Sequence, residues 1–169
     1  MTNKRTLRIV FTGLFAALVC VSTYVLHIPA GNGYIHLGDA FIYLGATILP
    51  FPYLFLAGAI GGSLADLLSG YAIYAIPTFI VKSLNSFCFY FAFKNRTKII
   101  TSRTVSAAIA SSAVTIIGYY FVAVILFGGF GAQLATLPGN AIQAGGSFIV
   151  FLVIGYAFDK AGITKRINL

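Results

Sequence analysis

Glutamate and tryptophan are absent from this sequence, and three aspartates stand against eleven lysines and arginines. Charged residues make up 8% of the chain, where soluble domains carry about a quarter. So little charge excludes an ordinary water-soluble domain. There is no GxxxxGKS/T phosphate loop, which together with the missing glutamate excludes ATP hydrolysis by this chain. Cys20 and Cys88 both lie in apolar runs without CxxC spacing, which excludes a disulfide framework. No nucleophile stands within pattern distance of a base, so the chain does not read as an enzyme.

What is there is apolar. Hydrophobic residues are 59% of the 169 and the mean hydropathy is +0.95, so the chain is an integral membrane protein, expected as one transmembrane domain over 1–169. Six apolar segments, about 7–28, 37–49, 53–68, 77–93, 105–127 and 140–158, predict an all-α bundle of six transmembrane helices. The first follows Lys4, Arg5 and Arg8 as a signal peptide would, but it is long and lacks a cleavage site, so it is expected to be retained. Pro50-Phe51-Pro52 is a tight link between adjacent helices. In the third segment Ala57, Gly58, Gly61, Gly62 and Ala65 let a neighbouring backbone come close.

The net charge of +8 would suggest nucleic acid in a soluble chain, but here the basic residues cluster between apolar runs and report topology instead. Lys4, Arg5 and Arg8 precede the first segment; Lys94, Arg96, Lys98 and Arg103 separate the fourth and fifth; Lys160, Lys165 and Arg166 follow the sixth. All three places share one side of a six-span chain. The loops near Asn32, Ser69 and Gly131 hold no Lys or Arg. The expected location is therefore a cell membrane, with both termini cytoplasmic.

The fourth segment carries an intramembrane lysine, Lys82, which costs about 2.5–3.5 kcal/mol at a helix centre unless it faces a cavity or a partner. Thr78, Lys82, Asn85 and Ser86 fall at spacings of three and four, hence on one helix face, with Ile80, Val81, Leu84 and Phe87 opposite. The plain alternative is a lysine snorkelling to the nearer surface. Asp39 or Asp66 can neutralise it, and the sequence does not choose. Tyr34 and His36 in the first outer loop, Tyr119 in the fifth segment, and Asn140, Gln143 and Ser147 in the sixth lie at a similar depth. A mostly apolar pocket with a few fixing polar groups has this composition. Ser111 and Ser112 are expected to bond between helices. His36 and Asp39 alone are too few ligands for a metal site, and no cofactor is implied.

These residues together resemble the substrate-binding (S) component of an energy-coupling factor (ECF) transporter, the vitamin-uptake branch of ABC transporters. The similarity runs through LRIVFTGLFAALVCVSTYV, YIHLGDAFIYLGATILP, SLADLLSGY, the Pro77-to-Lys82 stretch and LPGNAIQAGGSFIV. The resemblance implies six helices, capture of a vitamin from outside, and work with a scaffold transmembrane subunit and two ATPase subunits. It places Gly13 and Ala17, where the family usually has alanine at the first position, in a small-xxx-small motif that meets the scaffold, with Ala16 and Cys20 a second small pair. These four are the expected partner interface, the plain alternative being that the same small residues pack inside this bundle. The expected substrate-binding residues are Tyr34, His36, Lys82, Asn85, Tyr119, Asn140 and Gln143. Their chemistry suits a small aromatic heterocycle with hydroxymethyl groups, such as hydroxymethylpyrimidine or pyridoxine. The competing class is a stand-alone secondary transporter of a small polar solute, which needs a coupling-ion site at the bilayer midplane.

Overall fold

Long uninterrupted apolar runs become long helices. In the computed structural model, which describes residues 4–90, 92 and 98–163, α1 (Lys4–Val25), α5 (Ser102–Phe127) and α7 (Leu137–Ala161) have 22, 26 and 25 residues. At 1.5 Å per residue each exceeds the roughly 30 Å of a bilayer core. Lys94, Arg96, Lys165 and Arg166 of the basic clusters, with part of the fourth expected segment, lie outside the described residues. Two shorter apolar helices, α3 (Tyr53–Leu68) and α4 (Ala75–Cys88, entered through the turn Ala72–Tyr74), complete the main bundle. A one-turn helix, α6 (Phe130–Gln133), leads into α7.

The second expected segment is where sequence and structure differ. Residues 37–49 were expected as a span, whereas the helix α2 covers only Gly38–Gly45 and gives way to turns before Pro50. Eight residues reach about 12 Å. Seven of the eight are buried, and α2 touches α1, α3, α4 and α7, so it is a plug within the bundle. The all-helical expectation also omits a hairpin in the loop after α1, β1 (Ile28–Ala30) antiparallel to β2 (Gly33–Ile35), with Pro29 opposite Tyr34. The turn that joins them is Gly31-Asn32, with Gly31 at φ +60°, a conformation glycine adopts freely.

Close packing holds the helices in place. A Cβ on Gly61 of α3 would lie 2.5 Å from the carbonyl oxygen of Ala16 in α1, so the two backbones touch only because position 61 lacks a side chain. Tyr43 of α2 meets Phe89 at 5.3 Å and Phe151 at 5.8 Å between ring centroids, an aromatic core toward the end of α4 and the second half of α7. At that same end both carboxylate oxygens of Asp159 accept backbone N–H groups, from Ile99 at 2.6 Å and Ile100 at 2.9 Å. This ties the end of α7 to the chain entering α5. Ile76, Ile125 and Tyr156 are strongly exposed, as are Ile80, Leu84 and Phe87 on the outer face of α4. In water these would be liabilities; on a helix bundle of this composition they are the lipid-facing surface.

Candidate functional site

The polar face read on the fourth segment is buried as a unit: Thr78, Lys82, Asn85 and Ser86 all point into the bundle. Lys82 is 1% exposed, and its Nζ donates to Oδ1 of Asp39 at 2.6 Å. Asp39, not Asp66, is thus its partner. The second oxygen of Asp39 accepts from the Thr115 hydroxyl at 3.3 Å and the Gln143 amide at 3.4 Å, while Asn85 donates to Thr115 at 2.9 Å. One carboxylate on α2 therefore gathers α4, α5 and α7. Without these bonds a charge so placed would cost several kcal/mol.

Above this layer, at the end of the bundle away from Arg8, Arg103 and Lys160, a cavity of about 540 Å³, counted out to its open mouth, is walled by side chains from β2, α3, α5 and α7. Tyr34, His36, Asp66, Tyr119, Asn140 and Gln143 supply its polar lining. Five of the seven residues expected to bind substrate meet in this wall. Lys82 and Asn85 do not: they form the floor beneath, because Asp39 and Thr115 draw their polar groups inward. Lys82 still reaches the site through Tyr119, whose ring centroid is 5.0 Å from Nζ, and the Tyr119 hydroxyl lies 3.0 Å from that of Thr78.

His36 is held in one tautomer. Its Nδ1 accepts the Gly38 backbone N–H at 3.1 Å. Burial, helped by the charge of Lys82, pushes its pKa down to about 3, so the ring is neutral and its proton sits on Nε2. A fixed N–H donor thus belongs to the cavity wall. Tyr34 donates its hydroxyl to Oδ1 of Asp66 at 2.5 Å, and its own pKa is raised by burial and by that neighbouring carboxylate.

Sequence reasoning missed the aromatic cover over this cavity. His27 stacks on Tyr34 with centroids 4.1 Å apart and planes 10° from parallel, and Tyr71 packs on both, at 5.3 and 4.8 Å. The signal was available: His27, Tyr34 and His36 in the loop after α1, and Tyr71 and Tyr74 in the loop after α3, gather aromatic-type rings in two connections that share one end of the bundle. Asp66, expected only as one of two possible partners of Lys82, is in the wall, whereas Lys82 is not.

Gly13 and Ala17 are exposed on α1, and a Cβ on Gly13 would meet nothing within 4 Å. Ala16 and Cys20 are half-buried, and Ala16 already packs on α3.

Compared with known proteins, residues 3–160 match the model of a family described as ECF-type riboflavin transporter, S component. An uncharacterised protein of Pyrococcus woesei is 30% identical over 144 residues, which is 84% of this chain and 95% of that protein.

Proposed function

This chain belongs to the family of ECF-type riboflavin transporter S components, and on that premise we propose that it captures a water-soluble vitamin or vitamin precursor outside the cell and passes it across the membrane. The energy comes from two ATPase subunits acting through a scaffold transmembrane subunit, in keeping with a sequence that has no GxxxxGKS/T phosphate loop. In this reading the basic ends of α1, α5 and α7 are cytoplasmic by the positive-inside rule, so both termini are inside and the cavity opens outward. The chain crosses six times, the second crossing being made by α2 together with the turns that continue it to Pro50, sheltered by the neighbouring helices.

The observation that carries the reading is the cavity: polar side chains from four elements converge at the end of the bundle opposite the basic residues. The rings of Tyr34 and Tyr119 suit stacking on a planar heterocycle, and His36, Asn140 and Gln143 suit its polar edge. A floor closed by the Lys82–Asp39 pair limits depth, which favours a single ring such as hydroxymethylpyrimidine or pyridoxine. A second reading, riboflavin, is favoured by the description of the matching family. The stand-alone carrier is less favoured, because Asp39, the acid deepest in the bundle, is already neutralised by Lys82.

Uptake into proteoliposomes tests the function. The chain with scaffold, ATPases and ATP accumulates the labelled vitamin, and the chain alone does not; uptake by the chain alone without ATP would make it a carrier. At the site, Asn140→Ala and Gln143→Ala each weaken binding roughly five- to tenfold, the worth of one hydrogen bond, with normal membrane insertion. Calorimetry showing unchanged affinity in both would remove α7 from the site.

A further inference from the structure

Two shielded polar atoms of the cavity wall have no hydrogen-bond partner among the described residues: Oδ2 of Asp66 and Nδ2 of Asn140. Buried polar groups are nearly always paired, so an orphaned acceptor and an orphaned donor in one cavity ask for partners from outside the chain. Asp66 is 3% exposed. A carboxylate offers about four lone-pair sites. Tyr34 fills one, and the hydroxyl of Thr78, which stands beside Asp66 and also meets Tyr119, fills at most one more. No cation of the protein is bridged to Asp66 among the described residues, since Lys82 is held by Asp39.

We propose that Asp66 and Asn140 read opposite polarities on the edge of the ligand ring, Asp66 taking an N–H donor and Asn140 giving a hydrogen bond to a ring nitrogen or carbonyl oxygen. The ligand class is then a neutral or cationic heteroaromatic ring that carries an amino or ring N–H group near an acceptor. An aminopyrimidine meets this requirement with its amino group and ring nitrogen, and a flavin meets it with its ring N–H between carbonyls. A compound that presents a carboxylate there is rejected, because two like charges would share a desolvated site. The inference rests on the vitamin-capture reading and narrows it.

The test is calorimetric titration of the wild type, Asp66→Asn and Asn140→Asp with hydroxymethylpyrimidine, pyridoxine, riboflavin and, as the probe with a carboxylate on its ring, nicotinate. Thermal unfolding of each ligand-free protein in detergent is measured alongside. Asparagine at 66 keeps an acceptor for Tyr34 but offers an amino group where the second carboxylate oxygen stood. The wild type binds at least one of the first three probes and not nicotinate. Asp66→Asn weakens that binding roughly ten- to a hundredfold, the range of a hydrogen bond to a charged group, at an unchanged unfolding midpoint. Asn140→Asp, which turns the donor into an acceptor, weakens binding of the same probe and keeps the test alive should Asp66→Asn fold poorly. Undiminished binding by Asp66→Asn, or by Asn140→Asp, overturns the edge-reading pair while leaving vitamin capture intact, and nicotinate as the tightest probe overturns the ligand class. Failure of the wild type to bind any of the four overturns vitamin capture, and the inference with it.

Discussion

Leucine in place of Gly13 or Ala17 abolishes ATP-dependent uptake and copurification with the scaffold subunit, and leaves the isolated chain able to bind its vitamin with undiminished affinity. The expectation follows from which way α1 is turned. Gly13 and Ala17 lie on its exposed face with Val10, Leu14, Val21 and Tyr24, and nothing stands within 4 Å of where a side chain at position 13 would begin. A leucine there overpacks nothing inside the bundle. Between membrane helices, however, there is no hydrophobic drive to associate, so contact depends on backbones coming close over small residues. A leucine holds the partner off and forfeits many dispersion contacts at once. Ala16 and Cys20, expected as part of the same interface, are partly occupied by packing within the bundle, so leucine at 16 should also lower the stability of the isolated chain. Ligand affinity and scaffold pull-down on the same preparation check this, and full uptake by Ala17→Leu would contradict it.

Lys82→Met is the second large effect, and it falls on stability before it falls on binding. Removing the ammonium leaves Asp39, fully buried, with the Thr115 hydroxyl and the Gln143 amide as its side-chain hydrogen-bond partners among the described residues. Stranding one charge of a buried pair costs about 3–5 kcal/mol, a large part of the roughly 5–15 kcal/mol that holds a domain folded. The yield of folded protein in detergent should collapse. The double variant Lys82→Met with Asp39→Leu strands no charge and should recover most of the lost stability, the non-additivity expected of contacting residues. Thermal unfolding of both singles and the double measures it; equal, additive losses would mean that the pair is not energetically coupled. Vitamin binding by the recovered double variant would place Lys82 in a supporting role beneath Tyr119.

Much of this was legible in the sequence because long apolar runs and loop charges are local signals. The helices α1, α5 and α7, the link at Pro50-Phe51-Pro52, and the inward face of Thr78, Lys82, Asn85 and Ser86 all follow from spacing along the chain. The choice of Asp39 over Asp66 as partner of Lys82 did not, since it joins positions 43 residues apart and depends on where α2 stops. Nor could the length of α2 be read. Its run of apolar residues is the same whether it faces lipid or protein, because lipid tails are as apolar as leucine and the contrast that orients a helix in water is missing. In the cavity wall, Asn140 and Gln143 were legible because polar residues stand out against apolar spans. Lys82 was legible as a buried charge, but burial cost alone does not tell a residue that lines a pocket from one that packs behind it.

Native mass spectrometry of the detergent-solubilised chain, purified from cells grown with the vitamins supplied, bears most directly on the central claim that this subunit by itself captures a vitamin. The account predicts one bound planar nitrogen heterocycle per chain, retained by Ala17→Leu and depleted in the Asn140→Ala, Gln143→Ala double variant. A chain that carries no such ligand, and takes none up when each is added back, would contradict it.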